Sequence, residues 1–241
     1  MKLQHLLSYT RRVIQDYDMI QNGDKIAIGI SGGKDSLTLA RALRDLQRFY
    51  PKSFSLHAIT ISLGFDNFDT TKLKEYFSAL EIPYTIYETQ IADIVFKERK
   101  ETNPCSLCSK MRKGALIDIS KRLGCNKIAL GHNKDDINET LLMSLFYEGR
   151  IHTMSPVNHL DISNMTIIRP LIYTPEADIR SFTKKNELPV LKSPCPADGQ
   201  TKREHIKQLI YSFQKELPHV RENIFGAIQR SSLQDWNIDR G

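Results

Sequence analysis

The sequence predicts an α/β domain built on a doubly wound parallel sheet, and three observations predict it. Short apolar runs bounded by turn residues recur along the 241-residue chain, as buried parallel strands require. Segments with helical periodicity alternate with these runs, which favours right-handed βαβ crossovers. The composition, 40% hydrophobic and 26% charged, is ordinary for a globular domain, and no apolar run approaches the roughly 20 residues of a membrane helix.

The first element is an amphipathic helix predicted over residues 1–20, where apolar residues such as Leu6, Val13 and Ile14 recur at helical spacing. This segment lacks the apolar centre and cleavage site of a signal peptide. We therefore expect the helix to stay in the mature protein and the protein to be cytoplasmic. The turn at 22–24 separates the helix from the first strand.

The remaining elements follow in alternation. Strands are predicted at 25–30, 55–62, 84–88, 127–130 and 166–169. Helices are predicted at 35–50, 69–80, 109–123, 135–147, 175–185, 201–215 and 218–232. We expect an N-terminal helix (1–24), a catalytic domain with a cysteine-bearing insertion (25–200) and C-terminal helices (201–241).

A glycine-rich loop, called the phosphate loop below, joins the first strand to the next helix. Its residues are Ser31, Gly32, Gly33, Lys34, Asp35 and Ser36. Outward-facing backbone N–H groups beside a helix N-terminus form a phosphate site, to which the serines and the lysine add donors. Asp35 suits Mg²⁺ ligation or a helix cap. This strand–loop–helix context favours phosphate binding over a tight capped turn, and neither the Walker pattern nor GxGxxG is present.

The phosphate loop resembles the PP-loop signature of ATP pyrophosphatases, which cut ATP between its α and β phosphates and transfer AMP to a carbonyl or amide oxygen. The resemblance implies a Rossmann-like fold of the adenine nucleotide alpha hydrolase type over 25–200, with ATP and Mg²⁺ as cofactors. It also implies catalytic roles for Lys34 and Asp35 in stabilising and placing the phosphates.

A second polar loop, called the histidine loop below, follows the strand at 127–130. Gly131, His132 and Asn133 are expected to bind the nucleotide, with His132 and Asn133 as donors to phosphate or ribose. Asp135 and Asp136 are expected to ligate Mg²⁺ or accept protons, and Asp135 also stands where it would cap the next helix. Ligands bind at the carboxyl ends of strands near the strand-order switch, so both loops are expected to share one ATP.

The four cysteines form an unequal set. Cys105 and Cys108 make a CxxC pair at a helix start, Cys195 lies between two prolines, and Cys125 precedes a strand. In a reducing cytosol this even count does not indicate disulfides. Nearby positive charge and the helix N-terminus are expected to lower the pKa of the CxxC thiols.

Several metal or redox sites remain compatible with these cysteines. Structural zinc would need a fourth ligand, either Cys125 or a histidine. A redox CxxC leaves Cys195 unexplained, and a persulfide carrier needs one cysteine. A 4Fe-4S cluster on three cysteines leaves one iron open. Cys125 is expected to be buried and structural.

The combined motifs are more specific than any one of them. SGGKDS, CSLCSKMRKG, GHNKDD and a lone later cysteine together resemble the tRNA 2-thiocytidine synthetase family over residues 20–232. In that family three cysteines hold a 4Fe-4S cluster, and the matching positions are Cys105, Cys108 and Cys195. Arg112 and Lys113 match its basic pair, the second being Lys in place of Arg. Related 2-thiouridine synthetases carry terminal zinc-binding cysteines, whose absence here favours the cytidine branch.

The resemblance implies an ATP-dependent tRNA sulfurtransferase. The C2 oxygen of a tRNA pyrimidine, expected to be a cytidine of the anticodon loop, is adenylated and replaced by sulfur, with Arg112 or an aspartate orienting the base. The implied partners are tRNA, a sulfur donor (a cysteine desulfurase or sulfide) and a second copy in a homodimer, with no membrane. A net charge of +6, concentrated around the CxxC segment, also favours an RNA partner.

Two other functions fit parts of the sequence. A lysidine-type ligase or amidotransferase-like enzyme would keep the PP-loop and place zinc on the cysteines. A non-catalytic RNA-binding module would have lost the loop, and the intact SGGKDS argues against it.

Overall fold

The structure is a computed structural model that describes residues 1–65, 69–99, 104–192, 195, 201–233 and 236. The strands are β1 (Asp24–Gly29), β2 (Phe54–Ser62), β3 (Tyr84–Glu88), β4 (Lys127–Ala129), β5 (Val157–Leu160) and β6 (Met165–Ile168). The helices are α1 (Leu3–Asp16), α2 (Lys34–Gln47), α3 (Thr71–Ala79), α4 (Pro104–Arg122), α5 (Lys134–Glu148), α6 (Glu176–Lys185), α7 (Lys202–Gln214) and α8 (Val220–Arg230).

The strands form one six-stranded sheet in the order β3-β2-β1-β4-β6-β5. β1 pairs in parallel with both β2 and β4, and β4 pairs in parallel with β6. The chain runs outward from β1 in both directions, so the strand order switches between β1 and β4, where open α/β sheets bind ligands. The predicted doubly wound fold is confirmed.

One edge of the sheet departs from the prediction of a wholly parallel sheet. β5 pairs antiparallel with β6, and the sequence analysis did not predict it. Its four residues, VNHL, are short, partly exposed and lack a clear alternation, so the pattern carried no strand signal. A π-helical segment, Asp93–Glu98, was also not predicted.

Apolar side chains cover both faces of the sheet. The larger core packs α1, α2 and α6 on one face and includes Leu6, Leu43 and Phe182, all 0% exposed. The smaller core, on the opposite face, includes Ile59 from β2 and Leu116 from α4. Helices on both faces are what a doubly wound fold requires.

Helix α4 begins five residues earlier than predicted, at Pro104. Proline suits the first turn of a helix because its missing N–H would be unpaired there anyway. As a result, Cys105 and Cys108 lie on the first turn of α4.

Helices α7 and α8 pack against α5 and against each other. This contact brings the C-terminal helices to the carboxyl end of the sheet. The division at 24/25 and 200/201 stays a prediction, and residue 200 itself lies outside the described part. Among the described residues, no helix is both long and apolar enough to cross a membrane.

Candidate functional site

The phosphate loop leaves β1 at its carboxyl end and turns directly into α2. Gly32 has φ +79°, a left-handed conformation that glycine adopts without strain. The Ser36 hydroxyl donates to the Gly33 carbonyl over 2.9 Å and accepts from the Ser31 backbone N–H, which fixes the loop. Gly33 is the N-cap residue of α2 and has no side chain to cap with, so the expectation that Asp35 caps this helix is wrong.

The histidine loop contacts the phosphate loop directly. The Asn133 amide Nδ2 donates to Asp35 Oδ1 over 2.9 Å. A Cβ on Gly131 would lie 3.0 Å from the backbone of Asp35 and Ser36, so the close approach requires glycine there. The fold therefore brings two loops about 100 residues apart to one point, as predicted from their places after β1 and β4.

The cap of α5 is Asn133, which corrects the expectation that Asp135 would cap this helix. The Asn133 Oδ1 accepts from the backbone N–H groups of Asp135 and Asp136. In return, the Asp136 carboxylate accepts from the Asn133 backbone N–H over 2.9 Å. This capping box occupies the Asn133 side chain, which leaves it little capacity to donate to a nucleotide.

Lys34 lies between two carboxylates. Its Nζ is 2.9 Å from Asp35 Oδ2 and 3.0 Å from Glu176 Oε1. Burial lowers the pKa of Lys34, but the ion pairs with Asp35 and Glu176 outweigh burial and the net pKa is raised. Lys34 is thus a fixed cation at the start of α2.

Glu176, at the start of α6, carries several cations. Its Oε2 lies 2.7 Å from Lys207 Nζ and 3.0 Å from Arg180. Burial alone would raise the pKa of Glu176, but these ion pairs and the one with Lys34 lower it to about 2. Glu176 is therefore ionised, and it links the phosphate loop to α7.

The two aspartates of the histidine loop have different surroundings. Asp135 is buried, pairs with Arg221 of α8 and accepts from the Glu176 backbone N–H over 2.7 Å. Its oxygens are already occupied, so the structure gives Asp135 a supporting position. Asp136 lies 3.1 Å from Arg203 of α7 and faces a cleft. Burial, opposed by Arg203, raises the pKa of Asp136.

The buried Glu139 completes this group of carboxylates. It is 3% exposed and lies 3.4 Å from Arg203. Burial, followed by the charge of Asp136, raises its pKa to about 7.

The sequence analysis missed the three cations that α7 and α8 contribute to these carboxylates. They are Arg203, Lys207 and Arg221. They belong to no motif, and only a structure brings α7 and α8 against α5. The C-terminal helices are therefore part of the site.

The first cleft, about 210 Å³ in volume, lies between the phosphate loop and α4. One end is apolar and is lined by Ile59, Ile61 and Phe65 at the end of β2. Cys108 and Cys195 line the same cleft as Ser31, and so does Arg112. Two of the three predicted cluster ligands thus share a cavity with the phosphate loop.

The cysteines differ in burial and in acidity. Burial raises the pKa of Cys108, while Arg112 opposes this, so the expectation of a lowered pKa is wrong for this thiol. Cys105 and Cys195 also influence the pKa of Cys108, which means that all three lie near one another. Cys125 is 5% exposed and packs in the smaller core, as predicted.

The donor set fits an iron–sulfur cluster better than zinc. Three thiols with no fourth protein ligand nearby match a cluster that leaves one iron open, whereas structural zinc takes four protein ligands. In the described part of the chain, no three cysteine, histidine or carboxylate side chains already surround one metal-sized point. Pro194 and Pro196, predicted to present Cys195, lie outside the described residues.

The second cleft, about 490 Å³ in volume, lies on the β4–β6 side of Arg112. It is lined by Lys113, His132, Asp136 and Arg169, and it shares Ser31 and Arg112 with the first cleft. Burial, followed by the positive charges of nearby arginines, lowers the pKa of His132 to about 3. His132 is therefore neutral at physiological pH and cannot offer phosphate a cationic donor.

A glycine-rich phosphate loop at the switch point of this sheet defines a nucleotide-binding protein of the PP-loop class. The sequence profile of the PP-loop domain family matches residues 4–213. The tRNA-cytidine(32) 2-sulfurtransferase of Pelobacter propionicus is 36% identical over 230 residues, covering 94% of this chain and 84% of the relative. The tRNA-cytidine(32) 2-sulfurtransferase of Alcanivorax borkumensis is 39% identical over 236 residues, covering 95% and 82%. The chain belongs to this sulfurtransferase family of PP-loop proteins.

Solved structures agree with this assignment. The U34-tRNA thiolase NcsA from Methanococcus maripaludis, with its [4Fe-4S] cluster, has a TM-score of 0.76 at 27% identity and covers 91% of this chain and 76% of its own. The NH3-dependent NAD synthetase from Campylobacter jejuni, at 19% identity and a TM-score of 0.53, shares the fold alone. The predicted family and enzyme class are confirmed, and the predicted ATP and cluster agree with these relatives.

Proposed function

We propose that this protein is an ATP-dependent tRNA sulfurtransferase that replaces the C2 oxygen of cytidine with sulfur in the anticodon loop, at position 32 as in its named relatives. One observation carries the proposal. The first cleft has Ser31 of the phosphate loop on its wall together with Cys108 and Cys195. A nucleotide-activating loop and sulfur-binding cysteines thus face one cavity.

The phosphate loop would bind ATP. Its N–H groups and the start of α2 suit the phosphates, and Lys34 supplies a positive charge that offsets charge on the departing pyrophosphate. Asp35 and Asp136, which both line the second cleft, would hold Mg²⁺. The apolar end of the first cleft, with Ile59 and Ile61, suits adenine.

The three cysteines would hold the cluster, which when bound supplies an iron with a coordination position free for sulfur. Arg112 lies where the two clefts meet, so it is placed to orient the base between ATP and the cysteines. The target base has to leave its stack to reach this depth, which a single-stranded loop permits.

The reaction has two displacements. The C2 oxygen attacks the α-phosphorus of ATP, forming an O–P bond while pyrophosphate leaves. Hydrosulfide-level sulfur then forms a bond to C2, the C2–O bond breaks, and AMP leaves with a proton released to a neighbouring base. Adenylation makes the second step feasible because AMP is a much better leaving group than hydroxide.

The partners of the reaction are part of the proposal. tRNA is the substrate, and a cysteine desulfurase or free sulfide supplies the sulfur. The cytoplasm is the proposed location, because tRNA and reducing conditions for the cysteines occur there. A homodimer is also proposed. Exposed apolar side chains of α5, the loop after it and α7, among them Phe146, Ile151 and Tyr211, offer a contact surface.

The direct test is reconstitution. Anaerobically purified protein, tRNA, ATP and sulfide should yield 2-thiocytidine by mass spectrometry of digested nucleosides. Lys34→Met should abolish the product while keeping the visible absorption of the cluster. A colourless protein that binds one zinc and makes no thionucleoside would favour the lysidine-type alternative, and light scattering would test the dimer.

A further inference from the structure

The second cleft contains a buried guanidinium without a carboxylate partner. Arg169 follows β6 and is 8% exposed, yet no acidic side chain of the described residues pairs with it. Its Nη1 donates to the Ser155 carbonyl, while its Nε is buried with no hydrogen-bond partner among the described residues. Leaving a buried charge unpaired is costly, and such groups are expected to have a partner.

The rest of the cleft cannot supply that partner. Asp35 is already paired with Lys34, and Asp136 is already paired with Arg203. His132 lines the same cleft, and its Nδ1 is also buried without a hydrogen-bond partner in the described part of the chain. Two side chains thus direct unused polar atoms to a cavity whose acidic groups are already neutralised.

Two more cations border this cavity. Arg112 and Lys113, on consecutive positions of α4, line it together with Arg169. Neither forms an ion pair with a described residue. The cleft therefore has an excess of positive charge, and a ligand that complements it is anionic.

We propose that the second cleft is a phosphate site in which Arg169 binds phosphate oxygens through its Nε edge, with His132 as a neutral hydrogen-bonding partner. A guanidinium held by one edge presents the other to phosphate in the planar geometry that arginine favours. The ordinary phosphate site of the fold is the loop at 31–36, so this is a second one. The proposal rests on the proposed function, because both ATP and tRNA bring phosphate to the cleft.

The two sources of phosphate are separable by experiment. Isothermal titration calorimetry would measure the affinity of the full-length protein for inorganic pyrophosphate and for an anticodon stem-loop RNA. The variants are Arg169→Met, which removes the charge, and Arg169→Lys, which keeps it without the planar fork. The control is Arg48→Met, an exposed arginine at the end of α2 far from the motifs.

We expect Arg169→Met to weaken one of the two ligands by about 10- to 100-fold, the range for a hydrogen bond to a charged group. A loss confined to pyrophosphate assigns the site to the leaving group of ATP. A loss confined to the RNA assigns it to the tRNA backbone. Arg169→Lys should weaken the same ligand by a smaller factor, and Arg48→Met should change neither affinity by a comparable factor.

A structural role for Arg169 predicts a different pattern. In that case Arg169→Met lowers the melting temperature and leaves both affinities unchanged, which overturns the proposal. Under the proposal, pyrophosphate or the RNA raises the melting temperature of the wild type more than that of the variant. If Arg169→Met does not fold, Arg169→Lys decides by the same two affinities.

The outcomes also separate this inference from the proposed function. A wild type that makes no thionucleoside, but whose phosphate affinity depends on Arg169, contradicts the function and supports the site. A wild type that thiolates tRNA, with Arg169 variants of unchanged affinity, supports the function and overturns the site.

Discussion

Replacing Glu176 with Gln should destabilise the protein in a pH-dependent way. Glu176 is 9% exposed and contacts Lys34, Arg180 and Lys207. These cations lower its pKa from 4.5 to about 2. Since each pKa unit corresponds to about 1.4 kcal/mol, the ionised Glu176 stabilises the fold by roughly 3 kcal/mol at neutral pH.

The sign follows from the direction of the shift. Because the folded pKa lies below the unfolded one, the stabilisation is complete above about pH 4.5 and is lost as pH falls toward about 2. Glu176→Gln removes it at every pH and leaves Lys34 and Lys207 near each other without a counter-charge. The variant should therefore be less stable than the wild type by about 3 kcal/mol at pH ~7, and the difference should shrink by roughly 1 kcal/mol at pH ~4.

Urea denaturation of the cluster-free chain, followed by circular dichroism at both pH values, measures this difference. The matched control is Glu81→Gln, which removes an exposed carboxylate paired with Arg44 and should have a much smaller effect. A difference between Glu176→Gln and wild type that is the same at both pH values would refute the ion-pair reasoning.

Three further predictions concern the site. Gly131→Ala should push the two loops apart and weaken ATP binding by at least about tenfold in calorimetry, because its Cβ would lie 3.0 Å from backbone atoms of the phosphate loop, whereas Gly114→Ala meets open space on α4 and should keep wild-type affinity. Cys195→Ser should lower the iron content and visible absorption of the protein, and Cys125→Ala should leave both unchanged because Cys125 packs in the core. Glu139→Gln should be more stable than wild type above about pH 7 and equal to it below about pH 4.5 in urea denaturation, because burial raises the Glu139 pKa to about 7 and so penalises its charged form; a gain at low pH instead would contradict this.

Much of the fold followed from local pattern. The apolar runs that became β1, β2 and β4 are continuous because both faces of the sheet are covered, and such runs are visible in one dimension. β5 escaped prediction because an edge strand with one antiparallel neighbour needs no long apolar run. The start of α4 at Pro104 was missed because CxxC suggested a loop, although proline favours a helix start.

The candidate site was predicted in part. Lys34 and Asp35 were found because the phosphate loop is contiguous, and a contiguous loop has a recognisable sequence. Arg169 and Glu176 were not singled out, because each is an isolated polar residue after a strand or at a helix start. Their importance depends on what lies across the sheet from them.

The sequence by itself determined the class of fold, the phosphate loop and the cysteines, because strand and helix periodicity and short motifs depend on residues close together in the chain. Only the tertiary structure decided what surrounds them. It placed Asn133 as the cap of α5, brought Lys207 of α7 to Glu176, and left Arg169 buried without a carboxylate. These features depend on charge and burial between elements far apart in sequence, and such interactions leave no local pattern for a sequence to show.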